Sequence, residues 1–325
     1  MPAVDPIVFF GTPELAVPTL AALVAAGRAP ALVVSQPSRP AGRGQKAQDP
    51  PVARWARDHG LPVLQPERVR APEFLEEMRG LIPGSPGASP GVAVVVAFGQ
   101  IFPRDLLALP RHGCINLHAS LLPRWRGAAP IQAAVAAGEE RTGVTTMQME
   151  AGLDSGPILL QEETVIGRGE TAGELGRRLA AIGAALVVRT LEALERGEIV
   201  PRPQDAAEAT YAPRLTRDSG RVDWSLSAAA LCHLLLAYTP WPGLTAELGG
   251  APVKLVRAEP LPAESEAPAP LAPGTVLGLR DGRLAVACGG GTVLGVEELQ
   301  RPGRKALRAA DFVNGERLRP GERLS

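Results

Sequence analysis

Lysine and cysteine are scarce in this chain of 325 residues, and net charge is absent. Lys46, Lys254 and Lys305 are the only lysines, so almost all positive charge is arginine. Lys and Arg together number 34, against 34 Asp and Glu. That balance excludes a protein coated in basic charge for bulk nucleic-acid binding, though not a local basic patch. Three cysteines, Cys114, Cys232 and Cys288, lie far apart and form no CxxC. Neither a disulfide framework nor a zinc ribbon is expected, and a reducing, cytoplasmic compartment is. The opening MPAVDPIVFFGTPE lacks a basic stretch leading into a long apolar run, and reads as neither a signal peptide nor a membrane span. FFGTPE stands where a nicotinamide-binding fold would carry GxGxxG, which disfavours a dehydrogenase. His59, His112, His118 and His233 form no ligand cluster, and no metal is expected.

Apolar residues are plentiful, at 45% of the chain, and the length fits two domains. DPIVFFGTPE reads as a buried strand closed by a Gly-Thr-Pro turn, ELAVPTLAALVAAG as a helix with a glycine stop, and PALVVSQ as a second strand. This βαβ opening predicts an α/β domain with a parallel sheet. PVARWARDHG and APEFLEEMRGL are predicted helices, and LPVLQ a short strand. VAVVVAFG is the most apolar strand and belongs near the sheet centre. CINLHAS, GVTTMQME and ILLQEETVI follow as strands, then a long amphipathic helix over TAGELGRRLAAIGAALVVRTLEALERG, weakened by Gly176 and Gly183. Residues 83–91, PGSPGASPG, form a surface loop. Past residue 205 short apolar runs alternate with Gly/Pro turns, between the helices SLSAAALCHLLLAYT and ALRAADFVNG, which suggests a small β-barrel. The Pro-rich stretch 262–274 is an exposed connection within it. The domains are expected at 1–204 and 205–325, as a monomer.

Asn116 and His118 point to one face of the CINLHAS strand, with Cys114; Ile115 and Leu117 point to the other. At the carboxyl end of a strand in such a sheet, an amide and an imidazole can both donate to one oxygen, which suits a developing oxyanion. The same pair also suits simple pairing with loop backbone, and the segment alone does not choose. Asp154 lies between two glycines in GLDSGPI, where glycine permits positive φ and close approach of a ligand. It fits either an Asx-turn or, if brought beside His118, a proton acceptor.

NLHASLLPRWRGAAPIQAAV followed by TGVTTMQMEAGLDSGPIL resembles the formyltransferases that use 10-formyltetrahydrofolate. The resemblance implies a catalytic trio of Asn116, His118 and Asp154, and folate beside Ser120, Leu121, Leu122 and Pro123, its pterin end near VVVAFGQ. Arg124 and Arg126 receive no role from it. The loop SQPSRPAGRGQK, residues 35–46, is similar to the insertion loop with which the members that formylate methionyl-tRNA contact the acceptor end of the initiator tRNA. By that likeness Arg39, Arg43 and Lys46 are tRNA contacts, Arg43 foremost. Ser38 and Gln45 depart from the family's frequent Asp and Lys. RVDWSLSAAALCHLLLAYTPWPGLTAEL resembles the start of those members' C-terminal domain, similar to an OB barrel, which touches tRNA. Trp224 and Trp241 are expected to pack in its core. Residues 301–325 carry seven Arg and Lys against three acids, a bias suited to phosphate contact. Formyl transfer to another amine, hydrolysis of formylfolate, and RNA binding without catalysis are the competing readings.

Overall fold

The computed structural model describes residues 4–41, 46–81, 89–262 and 271–325, with the side chains of 41, 46 and 79–81 left aside. The chain divides into two compact units: Met1–Pro130, Arg141–Val165 and Gly176–Tyr211 make one, and Ile131–Glu140, Ile166–Leu175 and Ala212–Ser325 the other.

In chain order the elements up to Ala212 are β1 (Ile7–Gly11), α1 (Val17–Ala25), β2 (Leu32–Val34), β3 (Arg39–Ala41), β4 (Lys46–Gln48), α2 (Pro51–Asp58), β5 (Val63–Leu64), α3 (Pro72–Leu81), β6 (Val92–Val96) and α4 (Arg104–Leu107). β7 (Cys114–His118), β8 (Arg126–Gly127), α5 (Pro130–Ala136), β9 (Arg141–Gln148), β10 (Ile158–Val165), α6 (Ala172–Arg196) and β11 (Tyr211–Ala212) follow. Seven strands form one sheet in the order β10-β9-β7-β6-β1-β2-β5. β6, the apolar VAVVV strand, is its middle strand and buried throughout, as its sequence predicts.

The alternation of side chains along the strands makes two cores. Ile7, Phe9, Val92, Val94 and Ile115 face one side, where Leu20, Leu23, Val187 and Leu191 cover them. Val8, Phe10, Ala93, Val95 and Cys114 face the other, covered by Phe74, Met78 and Leu106. Each such fully buried aliphatic or aromatic side chain contributes about 1.5–3 kcal/mol. The sheet is parallel from β7 to β5, but β9 runs antiparallel to both β7 and β10. β9 and β10 are joined by the short loop 149–157, too short for a crossover, so they can pair only antiparallel.

Residues 83–88 of the predicted surface loop lie outside the described residues. Its end departs from that reading: Pro90 and Gly91 are buried. A Cβ on Gly91 would stand 1.9 Å from the Val4 carbonyl oxygen, so the backbones pass too closely for any side chain.

The second unit contains α7 (Ala228–Ala237), β12 (Leu244–Leu248), β13 (Ala251–Pro260), β14 (Val276–Arg280), β15 (Arg283–Ala287), β16 (Val293–Gln300), β17 (Leu307–Arg308) and α8 (Ala309–Glu316). Its sheet is antiparallel, ordered β12-β13-β16-β15-β14, with β17 added to β16. Register shifts in β13 and β14 bend it over a core that includes Leu231, Leu255, Val286, Val296 and Phe312. Trp224 is buried there as expected. Trp241 is not: it is 51% exposed. Its place between Pro240 and Pro242, in the turn leaving α7, puts it on neither a helix nor a strand face that would bury it. Of the connection at 262–274, residues 263–270 lie outside the described residues. No described helix is long and apolar enough to cross a membrane.

Candidate active site

The order of the sheet reverses beside β1: the chain moves outward through β2 and β5, then returns to β6 and β7 on the other side. Ligands of open α/β sheets bind beyond the carboxyl ends of strands at such a reversal. Asn116 and His118 stand at that end of β7. The adjoining loop after β6 is fixed from two sides, because the Phe98 carbonyl accepts from Thr12 Oγ1 at 3.0 Å and Gln36 Nε2 at 3.2 Å.

Packing beneath β7 sets how the pair is presented. Leu117, between them, turns to the opposite face and fills the space left by Gly183 on α6; a Cβ at Gly183 would lie 2.6 Å from its Cδ2. The glycine that weakens the helix is thus where the strand packs closest. Asn116 is half-buried and its amide has no hydrogen-bond partner among the described residues. His118 is 6% exposed. Its Nε2 pairs with the Trp125 carbonyl at 2.9 Å, so Nε2 carries the proton. Its Nδ1 faces Asp154 Oδ2 at 3.7 Å. That gap is beyond a hydrogen bond, and leaves Nδ1 open to a third group.

The Asp154 carboxylate thus stands beside the His118 ring. The carboxylate accepts from a distant backbone group, Gly127 N, at 2.8 Å. The glycines around it act differently from the expectation. Neither Gly152 nor Gly156 has positive φ; Asp154 itself does, at 48°. Gly156 is needed for space, since a Cβ there would fall 1.8 Å from the Gln148 carbonyl oxygen.

Ser120 and Leu122 are buried, and Leu121 and Pro123 are half-buried. Ser120 Oγ donates to the Arg124 carbonyl at 2.6 Å, closing the turn rather than facing outward. Thr145, buried on β9, donates to the Ser120 carbonyl at 2.7 Å and accepts from Leu122 N at 3.1 Å. Gln161 Nε2 on β10 reaches the Leu122 carbonyl and Thr145 Oγ1, both at 3.0 Å. The two antiparallel strands thus hold the loop. Sequence reading missed Thr145 and Gln161, polar residues on adjoining strands, of which Thr145 is buried and Gln161 half-buried. It also left Arg126 unassigned. Arg126 is 6% exposed and bonded to Gln204, a residue nothing in the sequence singles out. Arg124 is exposed, with its guanidinium 6.0 Å from the Trp125 ring centre.

The 35–46 segment is not a plain loop: β3 and β4 pair as an antiparallel ribbon, Arg39 opposite Gln48. Ser38 Oγ donates to Asp49 Oδ1 at 2.5 Å, and Arg57 pairs with the same carboxylate. These bonds hold the Asp49 carboxyl below its usual range, the Ser38 bond being the largest cause. Arg39 is exposed. Arg43 lies outside the described residues, and Lys46 is described in its backbone alone. No group of three His, Cys, Asp or Glu gathers as metal ligands among the described residues.

Residues 6–191 match the formyl transferase family and residues 214–317 its C-terminal domain. The chain belongs to the formyl transferase family. It is 47% identical over 97% of its length to a methionyl-tRNA formyltransferase of Citrifermentans bemidjiense, covering 95% of that protein. To one of Solibacter usitatus it is 48% identical, covering 98% of both chains. Among solved structures, an N-formyltransferase from Helicobacter canadensis, in complex with folinic acid and dTDP-3-aminofucose, shares the fold. Its TM-score is 0.64 at 14% identity, over 90% of this chain and 98% of that one.

Proposed function

We propose that the chain transfers the formyl group of 10-formyltetrahydrofolate to the α-amino group of methionyl-initiator tRNA, in the cytoplasm. The observation that carries this reading is the likeness to methionyl-tRNA formyltransferases through both domains, from end to end. The neutral amine attacks the formyl carbon, negative charge gathers on the formyl oxygen of a tetrahedral intermediate, and its collapse breaks the bond to N10, which takes up the proton the amine has lost and leaves as tetrahydrofolate. The free amide of Asn116 donates to that oxygen. His118, with Nε2 fixed on the Trp125 carbonyl, presents Nδ1 and donates when that nitrogen is protonated. Asp154, opposite Nδ1 with one oxygen anchored on Gly127 N, supports the charge on the ring and takes the proton leaving the amine. Ser120 to Pro123 wall the folate, backbone groups at the end of the VVVAFGQ strand hold its pterin end, and Arg39, Arg43 and Lys46 meet the acceptor end of the tRNA.

The test is an acceptor assay with labelled formylfolate. Charged initiator tRNA should be formylated far faster than charged elongator tRNA, and Asn116→Ala should lower kcat by ~10²–10³-fold, the worth of one oxyanion donor. Formate released without an acceptor, or preference for an amino-sugar nucleotide, would overturn the reading.

A further inference from the structure

Asp154 holds a backbone conformation that disfavours L-residues, at φ 48°, yet its carboxylate must stay directed at His118. The side chain of Gln204 reaches it from 50 residues away in sequence. Gln204 Nε2 donates to the Asp154 carbonyl at 2.8 Å and to the Gly156 carbonyl at 2.7 Å. Gln204 Oε1 accepts from Arg126 Nε at 3.0 Å and Arg126 Nη2 at 2.8 Å. A guanidinium only donates and a carbonyl only accepts, so the amide has one possible orientation; its Nε2 also lies 3.9 Å from Met147 Sδ. The next residue, Gly127, gives its N–H to Asp154 Oδ2. Adjacent residues thus grip Asp154 at both ends, Gly127 directly at the carboxylate and Arg126 through Gln204 at the backbone.

We propose that Arg126 and Gln204 are positioning residues that hold the Asp154 loop in its left-handed conformation, and so aim the carboxylate at the His118 imidazole. The inference rests on the formyl-transfer reading above, in which Asp154 handles the proton of the attacking amine. Neither residue touches substrate. The competing role is purely structural: Gln204 would serve only to satisfy a buried guanidinium, which is costly to leave unpaired.

Gln204→Glu separates the two roles. The carboxylate keeps an acceptor for Arg126, but has no N–H for the carbonyls of residues 154 and 156. Positioning predicts a kcat lower by roughly 100-fold, the scale of a misplaced catalytic group, with KM for folate and tRNA little changed and a loss of Tm limited to that of the two unpaired carbonyls. Gln204→Ala should lose kcat similarly but more Tm, since it leaves the Arg126 guanidinium unpaired as well. In an Asp154→Asn background, Gln204→Glu should cost little more, since the group being aimed is already gone. An unimpaired kcat in Gln204→Glu, or the same loss with and without Asp154, would overturn the proposal. Those results in an unaltered protein that formylates methionyl-tRNA sink the positioning role alone; an unaltered protein that does not formylate it sinks the function and leaves the clamp no reaction to serve.

Discussion

A single missing methyl group governs the geometry of Asp154. With no side chain at Gly156 its loop passes so close to the sheet that a Cβ there would fall 1.8 Å from the Gln148 carbonyl oxygen, at the start of the same excursion. Its φ is not in the left-handed region, so alanine fails there by collision and not by conformation. Gly156→Ala should therefore destabilise the protein by about 1–3 kcal/mol, as overpacking does. Leu153→Ala, on a side chain 62% exposed in the same loop, should leave stability unchanged. Thermal denaturation of the two variants makes the comparison. Asn116, His118 and Asp154 were singled out by the resemblance of their motifs to the formyltransferases, since the residues alone left a structural role open for each. Gln204 was not: it lies in PRPQDA, without periodicity or a partner nearby in sequence, and its bonds come from residues 126, 154 and 156. Long-range satisfaction of one amide leaves no local mark.

At the scale of elements, β9 and β10 show why the sheet abandons its parallel order at this edge. A strand entering antiparallel beside β7 places Thr145 opposite His118 and next to the turn that follows it. One hydroxyl then serves three partners: the Ser120 carbonyl, Leu122 N and the Gln161 amide. Thr145→Val is isosteric but leaves those groups buried without it, at a cost of about 1–3 kcal/mol. Beyond that loss of stability, the loosened Ser120–Pro123 loop should raise KM for formylfolate more than it lowers kcat; steady-state kinetics with saturating tRNA measures the split. The strands and long helices were readable from hydrophobic period alone. The direction of β9 was not, because alternation reports which face is buried and is silent on polarity. The β3–β4 ribbon escaped for a related reason: RPA and KAQ carry no apolar run, and the bond from Ser38 to Asp49 at its base joins residues that no pattern links.

For the molecule as a whole, acid stability should depend on one bidentate ion pair in each compact unit. In the first, Arg28 grips Glu195 through Nη1 and Nη2; in the second, Arg301 grips Glu316 through Nε and Nη2, while its Nη1 donates to the Ala251 and Pro252 carbonyls. The arginine hydrogen bond is the largest cause lowering each carboxyl below its ordinary value of 4.5. A carboxyl depressed on folding binds fewer protons in the native state than in the unfolded one. Its contribution is therefore whole above pH 4.5, shrinks as pH falls through the lowered native value, and is gone below it. All four side chains are partly exposed, so screening by salt reduces the effect without changing its sign. Glu195→Gln combined with Glu316→Gln should lower Tm at pH 7 and flatten its decline in acid, until the variant and the unaltered protein meet below the lowered native values. Calorimetry across that range at low salt provides the measurement. Parallel curves, with no convergence, would assign the acid dependence to other carboxylates, Asp49 first among them, since its Ser38 and Arg57 contacts depress it in the same direction.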